Sequence, residues 1–215
     1  MIIAIDGPAA AGKGTLGRRL AQHYNLAFLD TGGLYRAVAL KVLDRGGDPA
    51  DPATAEAAAK SVRPADLETP RLREDAVSKA ASVVAAIPGV RAALLAFQRD
   101  FARHPPPGFA GALLDGRDIG TVVCPDATVK LFVTASAEAR ATRRFKELQA
   151  AGAGIIYARV LQDIEQRDAR DRERQTAPLR PADDAIELDT TALDADAAFA
   201  KAADLIAQKL KASPP

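Results

Sequence analysis

Short apolar runs, each bounded by polar or turn-forming residues, recur along the chain at residues 2–5, 26–29, 112–114, 129–133 and 185–188. Brief apolar runs without alternation are the habit of strands buried on both faces of a parallel sheet. Between them lie stretches of helical period beginning near Lys13, Gly33, Ser136 and Asp196. Strand and helix thus alternate, which predicts an α/β fold: a central five-stranded parallel sheet flanked by helices.

The stretch 46–107 breaks this rhythm. It is rich in alanine and helical in period at 54–60, 74–86 and 90–103, with prolines at the joints, and it reads as a small helical insertion in a core made of 1–45 and 108–215. Pro105, Pro106 and Pro107 form a stiff connector that returns the chain to the sheet.

With 215 residues, 48% hydrophobic and 27% charged, the chain can bury one substantial core. A formal net charge of +1 offers no global field for nucleic acid or a membrane surface, so small-molecule partners are expected and any cationic chemistry must come from local arginine placement. Cys124 is the only cysteine, which excludes an internal disulfide and suits a buried apolar filler in a reducing compartment. No basic start followed by an apolar core, and no run of about 18 apolar residues, marks a signal or a membrane span. A cytoplasmic monomer is the expectation. His23 and His104 stand apart from any metal-ligand or nucleophile partner and read as structural.

The first apolar run leads into Gly7-Pro8-Ala9-Ala10-Ala11-Gly12-Lys13-Gly14-Thr15, which opens a helix. Strand, glycine-rich loop and helix are the context a phosphate-cradling P-loop requires. Gly7 and Gly12 allow backbone amides to turn inward, the helix N-terminus adds partial positive charge, and Lys13 can reach terminal phosphates. A nucleoside triphosphate is the expected donor. The third run ends in Asp115-Gly116-Arg117-Asp118, at the strand edge where α/β sheets bind ligands. Asp115, with Thr15, is a candidate indirect contact of a Mg2+ ion carried with that triphosphate; an ordinary acidic turn is the bland alternative.

The second run leads into Asp30-Thr31-Gly32-Gly33-Leu34-Tyr35-Arg36. Thr31, Tyr35 and Arg36 would pass as surface residues were they not beside a P-loop, where Arg36 can clamp a phosphate in two-pronged fashion. In a charged helix over 157–175, Arg167, Arg170, Asp171 and Arg174 fall at i, i+3, i+4 and i+7 and share one face. An isolated helix would use them in ion pairs such as Asp163 with Arg167 and Arg167 with Asp171. In a phosphotransferase they form an arginine-bearing lid, here 150–178, with Gly152 and Gly154 as flexible points and Arg143, Arg144 and Arg159 as donor-side contacts.

Taken together these motifs resemble the bacterial cytidylate kinases. Gly7 to Thr15, Leu29 to Arg36, Ala80 to Arg91, Asp115 to Asp126 and Gln166 to Leu179 all fit that family's pattern, nearly the whole chain. The resemblance implies the P-loop nucleoside monophosphate kinase fold and transfer of the γ-phosphoryl group of ATP to CMP or dCMP. It implies that Lys13, Arg36, Arg117 and Arg174 are catalytic, and that Arg36, Arg117 and Arg174 gather at the acceptor's phosphate. It further implies that Tyr35, Arg167 and Asp171 meet the sugar and that Ser82, Arg91 and Asp118 read cytosine. Arg73 matches an arginine near the acceptor site. The chain departs from the pattern where only residues 61–71 stand in place of extra strands of the acceptor-binding insertion, which implies weaker anchoring of that insertion and looser affinity. A kinase for another monophosphate, a nucleotide-responsive binding module and, least supported, a nucleic-acid binder are the other readings.

Overall fold

The computed structural model describes residues 1–150, 152 and 154–212. Five strands, β1 (Ile2–Asp6), β2 (Ala27–Asp30), β3 (Ala112–Gly116), β4 (Val129–Thr134) and β5 (Ile186–Asp189), form one sheet in the order β2-β3-β1-β4-β5. Every pairing is parallel. All five expected strands are present, each within two residues of its sequence bounds.

Helices α1 (Lys13–His23) and α8 (Ala195–Ala212) cover one face, where Leu16, Leu20 and Ile206 meet Ile3, Ile5 and Leu131. The other face carries α2 (Thr31–Asp44), α3 (Pro52–Lys60), α4 (Asp75–Val84) and α5 (Pro88–Arg103), in one continuous cluster with Ala4, Leu29 and Leu114. Burying each large aliphatic side chain contributes about 1.5–3 kcal/mol, so both faces of the sheet are strongly covered. The helical insertion therefore shares the core of the sheet. α6 (Ala137–Ala150) and α7 (Tyr157–Glu173) pair through Ala141, Val160 and Ile164. The lid expected over 150–178 includes Ala151 and Ala153, which lie outside the described residues. Cys124 is buried as expected, and burial pushes its thiol up to about 11.

Where the missing strands would stand, two short 3-10 turns, Pro64–Leu67 and Pro70–Arg73, run across α2. Leu72 is buried there, and Lys41–Asp66 (3.1 Å) and Arg71–Asp44 (2.9 Å) pair the segment with α2. Such half-exposed pairs are worth at most about 1 kcal/mol, so Leu72 is the firmer anchor. The short segment is thus held, contrary to the expectation of a weakly anchored insertion.

Candidate functional site

The C-terminal ends of β1, β2 and β3 open into a single cleft of about 850 Å³. On the donor side stands the P-loop. Gly7 has φ 148°, and a Cβ there would lie 1.9 Å from the Val133 carbonyl oxygen, so only glycine lets the loop turn against β4. Gly12 sits at the α1 N-cap with φ 88°, and no side chain caps that helix. Its first-turn amides therefore keep their donors for an anion.

The carbonyls of the loop are held from behind. Lys13 Nζ donates to Pro8 O (2.8 Å), Arg140 Nη1 to Ala9 O (3.3 Å) and Thr190 Oγ1 to Ala11 O (3.1 Å). With these carbonyls engaged, the loop's amides are the groups left for phosphate oxygens. Lys13 is buried, and burial followed by the nearby Arg117 pushes its ammonium well below the usual lysine range, opposed by Asp115 at 3.9 Å. Burial likewise raises Asp115. An anion in the loop would raise the lysine back towards its charged form.

Ala9, Ala10, Ala11, Gly12, Lys13, Gly14 and Thr15 all line the cleft, as do Arg143, Arg144 and Arg159. Gly7 and Pro8 support the loop from outside the lining. Arg143 donates to the carbonyl oxygens of Thr190 and Leu193, which fastens α6 to the segment after β5. Arg144 pairs with Glu147 (3.2 Å) and, across the cleft mouth, with Asp75 of α4 (3.6 Å). Arg159 pairs with Asp163 (3.4 Å), and Asp163 also meets Lys79 of α4 at 3.2 Å.

The acceptor side is built from β2, β3, α4, α5 and α7. Asp30 caps α2 by accepting from Gly33 N (3.2 Å) and binds Arg36 at 2.5 Å, which aims that guanidinium. Thr31 donates its hydroxyl to Asp115 O (2.8 Å), locking the ends of β2 and β3 together. Arg117 donates through Nε to Asp171 Oδ2 of α7 (3.0 Å). Burial opposes the charge on both, yet each holds the other ionised: Arg117 lies above and Asp171 below its ordinary range. Arg167 is pushed down to about 10 by burial and by Arg117. Arg91 bonds Asp118, and its guanidinium stands 5.6 Å from the centroid of the Tyr35 ring. Burial raises the Tyr35 phenol.

Four buried side-chain atoms in the described structure have no hydrogen-bond partner, and three are at this end of the cleft: Ser82 Oγ, Arg167 Nε and Arg174 Nη2. Buried polar groups without partners are costly and rare, so a polar ligand is the natural complement of this trio. Every acceptor residue expected from the sequence lines the cleft except Arg73, which lies exposed outside it on a 3-10 turn.

Over residues 3–208 the chain matches the family model described as cytidylate kinase. The chain belongs to the cytidylate kinase family. Relatives carrying that name include one from Paramagnetospirillum magneticum, 62% identical over 97% of this chain and 98% of the relative. Another, from Rhodospirillum rubrum, is 57% identical over 97% and 98%. A solved structure of an uncharacterized protein from Eubacterium ventriosum covers 97% of this chain and 98% of that one, with TM-score 0.54 and 18% identity, and shares the fold. The family membership agrees with the P-loop and the arginine-lined acceptor end seen in the cleft.

One expectation about α7 needs correction. The helix ends at Glu173, not at 175, and Arg174 is its extended C-cap with φ −60° and ψ 137°. Its side chain still reaches the cleft because Nε bonds the Ala177 carbonyl. The ion pairs that an isolated helix would form give way in part to tertiary ones: Asp163 keeps an in-helix partner in Arg159 and adds Lys79, while Asp171 pairs with Arg117. Gly152 (φ 78°) and Gly154 flank the helix start, next to the undescribed Ala151 and Ala153.

Several functional residues carried no signal that the motifs revealed. Asp6 accepts from Ile119 N (2.8 Å) and Gly120 N (2.7 Å), so it orders the five-residue π-helical turn Ile119–Val123 directly after Asp118. Burial pushes its carboxyl up to about 7, against those two bonds. Its place at the end of a strand before the P-loop was the only clue. Asp30 was legible as a helix N-cap. Arg140, Asp168 and Thr190 were not.

Proposed function

We propose that this chain transfers the γ-phosphoryl group of ATP to the phosphate of CMP or dCMP, giving ADP and CDP or dCDP. The observation that carries this reading is the pairing, in one cleft, of an uncapped P-loop helix with buried Ser82, Arg167 and Arg174 atoms at the opposite end that make no hydrogen bond, Arg174 Nη2 having only the Asp118 carboxylate at 3.7 Å. A nucleotide with a phosphate and a polar base edge answers both.

In this reading the P-loop amides and Lys13 hold the donor phosphates. Arg36, Arg117 and Arg174 hold the acceptor phosphate, and its oxygen attacks in line with no phosphoenzyme. The protein supplies positioning and positive charge around the equatorial oxygens, which is what this chemistry needs. Asp115 and Thr15, a buried carboxylate and a cleft hydroxyl, suit indirect contact with Mg2+, which keeps several waters through which such groups would hold it. When bound, that ion neutralises charge on the donor phosphates. Ser82, Arg91 and Asp118 would read the cytosine edge and Tyr35, Arg167 and Asp171 the sugar. Residues 46–107 would act as the acceptor-side insertion and 150–178 as the lid.

The reading takes the chain to act as a monomer. Among the described residues no single helix is long and apolar enough to cross a membrane; with one unpaired, buried cysteine, this supports a cytoplasmic setting.

The test is ADP release from ATP and Mg2+ with CMP, dCMP, UMP, AMP, GMP and dTMP in turn. Preference for CMP and dCMP supports the reading. Preference for another monophosphate removes the base assignment, and turnover with none leaves a nucleotide-binding module.

A further inference from the structure

We propose that Arg140 and Asp168 are a pair of positioning residues that couple the lid helix to the P-loop. Arg140 stands on α6 with its side chain 3% exposed, and Asp168 on α7 with 6%. They form a two-pronged ion pair: Arg140 Nη1 to Asp168 Oδ1 at 3.0 Å and Nη2 to Oδ2 at 2.6 Å. The guanidinium then uses its remaining directions inward. Nε donates to Ala135 O just beyond β4 (2.9 Å), and Nη1 donates to Ala9 O in the middle of the P-loop (3.3 Å).

One rigid planar fork therefore touches the lid helix, the end of the sheet and the phosphate loop at once. A fork of fixed geometry transmits displacement between the groups it binds, which a flexible lysine does not. Asp168 lies next to Arg167 in α7 and three residues before Asp171, both of which line the cleft. Movement of α7 towards the cleft thus acts on Asp168, then on Arg140, then on the Ala9 carbonyl. That carbonyl belongs to the loop whose amides are left for phosphate. Neither Arg140 nor Asp168 lines the main cleft, so the pair acts through the loop and the lid and touches no substrate.

This inference rests on the donor site proposed above, and ATP binding by the unaltered chain, measured by calorimetry without acceptor, tests that reading separately. Absence of binding there removes the donor site itself. The coupling is tested with Arg140→Lys and Asp168→Asn, comparing thermal unfolding, KM for ATP, KM for CMP, kcat and ADP release in the absence of CMP. Arg140→Lys keeps the charge and loses the fork. Misplacing catalytic geometry by about 1 Å costs up to about 100-fold in rate, so kcat should fall about 10- to 100-fold and KM for ATP rise, with KM for CMP within about twofold. Acceptor-independent hydrolysis should rise relative to transfer, because a lid uncoupled from the loop excludes water less well. If instead the melting temperature falls while both KM values, kcat and the hydrolysis ratio per folded molecule stay within about twofold of the unaltered chain, the pair is only structural and the proposal is overturned. Should Asp168→Asn not fold, because it strands a buried arginine charge, Arg140→Lys decides alone.

Discussion

Arg117 at the end of β3 and Asp171 on α7 are bound to one another at 3.0 Å, although 54 residues separate them. The pair joins the loop that follows the third strand to α7. It also keeps Asp171 ionised in a site dense with arginine, where burial alone would raise it. Arg117 donates in addition to the Gly116 carbonyl at 3.1 Å, which leaves part of its fork for a phosphate.

Arg117→Ala should lower acceptor-dependent kcat/KM by about 1,000-fold, the order seen when a preorganised charge donor to the transition state is removed. ATP binding measured by calorimetry should change little. Arg117→Lys should recover only a small part, since a point charge cannot serve both Asp171 and a phosphate. Steady-state constants for Arg117→Ala equal to those of the unaltered chain would remove it from the site.

Lys13→Met should cost turnover more than fold. The ammonium is buried between Pro8 O and Asp115, so an apolar side chain of similar length relieves a desolvation cost while losing charge at the transferring group. A fall in kcat of about 100- to 1,000-fold with an unchanged or higher melting temperature is expected. Full activity in Lys13→Met would sink the donor assignment.

Asp118→Ala should blunt base choice. Arg91 and Arg174 both lean on this carboxylate, Arg174 at 3.7 Å, and all three side chains are buried at the acceptor end. The ratio of kcat/KM for CMP to that for UMP should fall by about 10-fold or more, because sites that hydrogen-bond a base edge discriminate by what they leave unpaired. An unaltered ratio with both substrates merely slower would show that Asp118 orients arginines and reads nothing.

Asp6 should make stability depend on pH. Its carboxyl rises from 3.8 to about 7 on folding, so between those values the folded chain holds a proton that the unfolded chain has released. The associated stability is fully present below the lower value and is lost as pH climbs through the upper one. The melting temperature of the unaltered chain minus that of Asp6→Asn should therefore decline from about pH 4 to about pH 7 and level off above. A difference independent of pH would mean that Asp6 stays ionised throughout.

Much of the fold was readable because its signals are local. The apolar runs at residues 2–5 and 129–133 are short, continuous and bounded, and a strand buried on both faces needs nothing else to be seen. In the structure α3 is also held locally, Asp51 accepting from Thr54 N at 3.0 Å and Pro52 presetting φ at the first helical position, two residues before the start the period suggested. The π-helical turn Ile119–Val123 was not readable, because its cause is Asp6, 113 residues earlier in the chain. Arg73 shows the opposite failure, a residue with the right neighbours in sequence that the 3-10 turn leaves outside the cleft.

The sequence by itself determined the order of strands and helices, the P-loop and the cluster of arginines on the lid helix, since each depends on spacing within a few residues. Tertiary structure alone decided the partners of the most buried charges. Arg140 reaches Asp168 and Ala9, Arg117 reaches Asp171, and Asp6 reaches the turn after Asp118, all across large separations in the chain. The physical reason is that burial makes an unpaired charge expensive, so each buried group takes the partner that packing brings within about 3 Å, wherever in the chain it lies.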